Sequence, residues 1–156
     1  MNAKHIDPFV ESFVNVMPQI GLCNVEKKGI ILKDNFISSP GVMIVLDIIG
    51  DIKGNVIYGT TVDNAKKIAS IMMMGMPVNN FDELAQSAIS ELTNMLTANA
   101  ATNLSSQNIS INISTPTLID GDFKSNSDLA KLISAELAID NMDFQVSISL
   151  DHGYIN

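Results

Sequence analysis

The chain has 156 residues, 46% of them hydrophobic and 17% charged, with one cysteine and a formal net charge of −8. All nine basic residues are lysine, so no guanidinium fork is available to grip phosphate or carboxylate groups. The length suits a single domain over 1–156, the apolar fraction supplies a sizeable core, and the acidic balance excludes affinity built on neutralising nucleic-acid phosphates.

Cys23 stands alone, which excludes an intrachain disulfide and suits a reducing, cytoplasmic setting. The longest uncharged apolar-rich stretch, Ile68 to Val78, has 11 residues and contains Gly75 and Pro77. A membrane span needs roughly 20, so no membrane association is expected.

Residues 5–20 read as a helix. Asp7 is its candidate N-cap, Pro8 its first residue, and Phe9, Phe13, Val16 and Ile20 an apolar stripe that Gly21 ends. Strands are expected over Cys23–Lys33, Val42–Ile49 and Gly54–Thr61, the last two joined as a hairpin through Gly50-Asp51 and Lys53-Gly54. Val62–Met74 repeats apolar residues at helical spacing, with Asp63 as a candidate cap.

The longest helix spans 81–104, opening on Asn80-x-x-Glu83 as a capping-box variant. Ile109, Ile111 and Ile113 alternate with polar residues as a strand. The alternating runs Ile133–Ile139 and Phe144–Leu150 form an antiparallel hairpin about Asp140-Asn141. Strands in succession, rather than alternating with helices, favour an α+β layer fold with a mainly antiparallel sheet of about six strands.

Most candidate chemistry falls away. There is no G-x-G-x-x-G or P-loop to cradle a nucleotide. His5 and His152, at opposite ends, read as solvated tail residues rather than metal or triad ligands. Cys23, without a basic neighbour, reads as a small buried apolar group. Met72, Met73, Met74 and Met76 read as helix core. No metal site is expected.

On a wheel at about 100° per residue, Phe81, Ala85, Ala88, Leu92, Leu96 and Asn99 face the core. Glu83, Gln86, Ser90, Thr93 and Thr97 face water. Ser87, Glu91, Asn94 and Ala98 share the flank between them. Glu91 and Asn94, three apart, project over one patch of surface. A solvated helix edge would hold the same pair, but Asn in mid-helix is mildly costly and has no capping role there.

The run Ser87-Ala88-Ile89-Ser90-Glu91-Leu92-Thr93-Asn94, followed later by Pro116, resembles the signature of the CheC/CheX/FliY chemotaxis phosphatases. That signature is a Ser or Asp, a Glu four residues on, an Asn three further, and a Pro after the next strand. Ile6-Asp7-Pro8-Phe9 with Glu11, and Gly54-Asn55-Val56 through Met74-Gly75, extend the likeness along most of the chain. Glu11 and Asn15 on the first helix are four apart and lack the surrounding pattern, so one site is expected, as in CheX. The family's Ala-Gly-Asn-Ala run reads Thr97-Ala98-Asn99-Ala100 here, which places a methyl group where a partner would approach.

The resemblance implies a CheC-like two-layer fold and a homodimer. It also implies hydrolysis of the aspartyl phosphate on a CheY-type response regulator. Asn94 would orient the attacking water and Glu91 would contact the regulator's active-site lysine, with Ser87, Ala98 and Pro116 shaping the docking surface. The chain itself would bind no cofactor; Mg²⁺ belongs to the regulator. The alternative is a non-catalytic module of the same fold that binds a regulator or dimerises.

Overall fold

The structure, a computed structural model, describes residues 5–124 and 132–151. The first helix, α1 (Asp7–Val16), starts at Ile6 without a side-chain cap, so Asp7 is its first residue and not its cap. It continues as a 3-10 turn over Met17–Ile20, which Gly21 closes in the left-handed conformation (φ 93°). This ending needs a residue that tolerates positive φ, and glycine does so without steric cost.

Strands β1 (Val25–Lys33), β2 (Phe36–Ile37), β3 (Val42–Gly50) and β4 (Gly54–Thr60) follow, then α2 (Val62–Met72) and the long α3 (Glu83–Ser105). The chain ends in β5 (Ile111–Ile113), β6 (Thr117–Ile119), β7 (Phe123–Lys124), β8 (Leu132–Ile139) and β9 (Met142–Leu150). Seven strands form one antiparallel sheet in the order β1-β8-β9-β4-β3-β5, with β6 also pairing β3; β2 and β7 make a separate two-stranded sheet.

Strand alternation sorts the sheet into two faces. Ile44, Leu46, Ile48, Val56, Tyr58, Ala135, Leu137, Val146 and Ile148 point to the helices and join Phe9, Phe13, Ile68, Leu92 and Leu96 in the main core. Phe13 sits against Phe144, ring centroids 5.4 Å apart, and against Tyr58 at 6.0 Å. The opposite face carries a smaller cluster of Met43, Ile57 and Leu132 under Ile37. The fold is therefore α+β in two layers, as expected, with one more strand in the main sheet than the sequence pattern suggested.

Two details explain the hairpins. Asp140 and Asn141 both take positive φ (46° and 67°), the requirement of a two-residue turn whose twist matches the strands. At Gly54 the β9 backbone comes so close that a Cβ would lie 1.8 Å from the carbonyl oxygen of Ser149. Only glycine fits there, which accounts for Gly54 at the head of Gly54-Asn55-Val56.

Several local expectations are corrected. The cap of α2 is Thr61, whose hydroxyl accepts from the Asn64 amide at 3.1 Å, and not Asp63. Cys23 is exposed, because it lies in the link before β1 and not within a strand. His5 is partly buried beside α1, with its Nδ1 enclosed, and is not a solvated tail residue. His152 lies outside the described residues. Met72 and Met73 pack against the core, but Met74 (φ 61°) turns away from the end of α2 and is 97% exposed, with Met76 also at the surface. Among the described residues no helix is long and apolar enough to cross a membrane.

Candidate active site

Helix α3 has a firm start, and its length rests on packing more than on propensity, since nine of its 23 residues are Ser, Thr or Asn. Asp82, in extended conformation, is the N-cap: its carboxylate accepts from the Ala85 amide at 3.0 Å. Asn80 does not cap, because the helix begins two residues later than that reading requires. Gln86 closes the same turn by donating to the Phe81 carbonyl at 2.9 Å, and Glu83 sits favourably at the positive end of the helix dipole.

The buried side of α3 consists of Ala85, Ile89, Leu92, Leu96, Ala100 and Leu104, together with Thr93 and Thr97. The two threonines were expected to face water, yet both are fully buried. Each hydroxyl turns its proton into the helix. Thr93 Oγ1 donates to the Ser90 carbonyl at 2.8 Å, and Thr97 Oγ1 to the Thr93 carbonyl at 2.7 Å. With the Thr97 proton so used, the Tyr58 hydroxyl of β4, 2.8 Å away, donates to Thr97 Oγ1. Burial drives the Tyr58 pKa well above the ordinary tyrosine value. This contact joins the middle of α3 to the centre of the sheet.

On its far half, α3 is held by α1. Asn15 Nδ2 donates to Asn99 Oδ1 at 3.0 Å, and Asn103 Nδ2 donates to the Pro8 carbonyl at 3.0 Å. Asn15 is thus engaged between the helices, while Glu11 lines a separate hollow with Asp7, Pro8 and Asn103. The two do not form a second Glu/Asn site.

With α3 held from these sides, its remaining flank presents Ser87, Glu91 and Ala98 to solvent and Asn94 half-buried. Across from it runs the link between β5 and β6. Ser87, Ser90, Glu91 and Asn94 on one bank, and Thr115, Pro116 and Leu118 on the other, enclose an open groove of about 590 Å³. Four of the five residues expected at the site therefore meet in one place, and Ala98 lies one helical turn beyond the groove.

Among the described residues, neither Glu91 nor Asn94 makes a side-chain hydrogen bond or ion pair. Their polar atoms are free for an incoming molecule. Among the described residues no group of three or more His, Cys, Asp or Glu is gathered for a metal ion. Thr115 and Leu118 escaped the sequence reading because Thr117-Leu118-Ile119 has no apolar alternation, unlike the run Ile109, Ile111 and Ile113 that marks β5. The only signal was the short apolar pair Leu118-Ile119 between Pro116 and Gly121.

A mainly antiparallel sheet with helices on one face, and a Glu-x-x-Asn pair on the open flank of the longest helix, defines a CheC-like domain. Comparison with known proteins narrows the class. The family profile "Chemotaxis phosphatase CheX" matches residues 42–136. The CheY-P phosphatase CheX of Thermotoga maritima is 36% identical over 107 residues, covering 67% of this chain and 69% of that protein. In three dimensions, CheX of Desulfovibrio desulfuricans superposes with a TM-score of 0.83 at 22% identity, covering 95% of this chain and 99% of that one. CheX from the CheX–CheY–BeF3–Mg²⁺ complex of Borrelia burgdorferi superposes with a TM-score of 0.75 at 20% identity, over 94% of this chain and 97% of that one. The chain belongs to the CheX family of chemotaxis phosphatases.

Proposed function

We propose that this chain accelerates hydrolysis of the aspartyl phosphate of a CheY-type response regulator. The observation that carries the reading is the meeting of Ser87, Glu91, Asn94 and Pro116 at one open groove, with the Glu91 and Asn94 side chains unengaged. The named activity of the Thermotoga maritima relative and the CheY partner in the Borrelia burgdorferi complex support it.

An acyl phosphate is already activated, so the remaining task is to place a water in line with the breaking P–O bond. Water attacks phosphorus, the aspartyl oxygen leaves with the bonding pair, and carboxylate and inorganic phosphate result. Asn94 suits the positioning. Its amide oxygen accepts a hydrogen bond from the water and so turns the water's lone pair toward phosphorus, and a neutral amide does this without acting as a base. Its half-buried place on a rigid helix limits the rotamers open to it.

Glu91, exposed one turn earlier, reaches the regulator's active-site lysine in a charge-assisted contact. The regulator brings the Mg²⁺ and lysine that neutralise the phosphoryl oxygens, so an arginine-free chain suffices. Ser87 shapes the near end of the groove, Pro116 stiffens the facing link, and Ala98 keeps the approach low beyond it. The reaction is assigned to the cytoplasm, and the working form to a homodimer. The outer edge of β1 is unpaired among the described residues, and its exposed Ile31 and Leu32 are suited to strand pairing with a second copy.

The test is a time course of phosphoryl loss from the purified regulator. Asn94→Ala is expected to bind beryllofluoride-activated regulator as the parent chain does while losing roughly 100-fold in accelerated hydrolysis. Glu91→Ala weakens binding as well. Parental rates in Asn94→Ala would refute the assigned mechanism.

A further inference from the structure

We infer that Leu84, at the start of the α3 stripe, and Leu118, on the facing bank of the Glu91/Asn94 groove, are apolar anchors that seat the regulator. The inference rests on the phosphatase reading of the same groove. Leu84, Ser87, Glu91, Asn94 and Ala98 follow one another at steps of three and four residues, so they form a single stripe along α3. At 1.5 Å per residue that stripe is about 21 Å long. Its middle is polar. Its beginning is Leu84, 58% exposed, directly before the fully buried Ala85.

The fold does not require leucine there. The core side of α3 is filled by other residues, and Glu, Lys or Gln would extend the helix equally well. A lone exposed leucine is ordinary on a protein surface. Here a second lies across the groove: Leu118 of β6, 38% exposed and part of the groove lining. The polar centre thereby has one exposed leucine within its lining, Leu118 on the β6 bank, and another just outside it, Leu84 at the start of the α3 stripe.

Charge identifies the occupant. Glu83 and Glu91 line the groove, and α3 contains no lysine along its 23 residues. The complementary surface is cationic at its centre and apolar at its margins. In the phosphatase reading the regulator supplies the cation that faces Glu91, the lysine beside its phosphorylated aspartate. Apolar contacts around that point exclude bulk water, which strengthens the Glu91–lysine contact and leaves the Asn94-bound water as the nucleophile.

Leu84→Ala tests this, since alanine is the best helix former and leaves the fold intact. The expected result is a rise of about tenfold in KM for phosphorylated regulator, and in Kd for the beryllofluoride-activated form, with kcat at saturation unchanged. Leu84→Met restores both, and thermal unfolding is the same for all three chains. Parental KM and Kd in Leu84→Ala, alongside an active parent and an impaired Asn94→Ala, would overturn the anchors alone. A parent chain that neither binds the activated regulator nor shortens the phosphoryl lifetime would overturn the phosphatase reading and the anchors with it. A shift in sedimentation with KM per protomer unchanged would assign Leu84 to a contact between copies and refute the inference.

Discussion

Thr97→Val and Tyr58→Phe break the same buried contact and are expected to cost different amounts. Both side chains are essentially inaccessible to solvent, and their oxygens are 2.8 Å apart. The single Thr97 proton already goes to the Thr93 carbonyl at 2.7 Å, which makes Tyr58 the donor. Tyr58→Phe removes the donor together with its hydroxyl, and Thr97 keeps its own bond to the helix. That loss is the net value of one neutral hydrogen bond, about 1 kcal/mol. Thr97→Val preserves shape but strands the buried Tyr58 hydroxyl, whose one hydrogen-bond partner among the described residues is Thr97 Oγ1, with no acceptor. The cost is then the desolvation of a buried polar group, about 2–3 kcal/mol. The double variant leaves neither oxygen unpaired and should be more stable than Thr97→Val alone. Urea unfolding at constant m-value measures all three, and the phosphoryl lifetime reports whether α3 keeps its orientation. If Thr97→Val costs less than Tyr58→Phe, the donor assignment is wrong and Tyr58 does not hold α3 as described.

The same contact shapes the alkaline limb of stability. Burial raises the Tyr58 pKa in the folded chain, so above about pH 10 the unfolded state loses this proton while the folded state keeps it. The contribution is complete below that value and declines as pH rises toward the folded-state pKa, with a slope approaching about 1.4 kcal/mol per pH unit. Denaturant titrations from pH 9 to 11 on the parent and Tyr58→Phe check this, and equal slopes would exclude Tyr58 as the source. At the start of α3, Asp82→Ala should cost about 1 kcal/mol and Asn80→Ala less than about 0.5 kcal/mol, by thermal unfolding. The reverse order would restore Asn80 as the cap.

Period and punctuation made most of the fold legible. The β3–β4 and β8–β9 hairpins, α1 and α2 follow from alternation, helical spacing and Gly or Asp-Asn turns, all of which act within a few residues. The elements that were missed, β2, β6 and β7, have two or three residues each. Such strands are defined by what they pair with, and pairing across tens of residues leaves no local pattern. The misplaced caps have a related cause. Asn80, Asp82 and Asp63 are all competent cap residues, and tertiary packing decides which one the helix starts from.

The site was legible for a different reason, and the error over Thr93 and Thr97 explains why. A wheel weighted by hydrophobicity turned the core side of α3 away from those threonines, because it treats a hydroxyl as solvent-seeking. In the folded chain each hydroxyl bonds to a carbonyl of its own helix, and Thr97 also accepts from Tyr58, so burial leaves both satisfied. The buried arc is accordingly wider than the wheel allowed and extends on the side away from Ala88. The stripe through Ser87, Glu91 and Asn94 survives that shift because the opposing bank, Thr115 to Leu118, stands off from α3 and leaves a groove instead of closing on it. The bank facing the exposed Glu91 and the half-buried Asn94 is tied to the sheet by three residues of β6, invisible in the pattern.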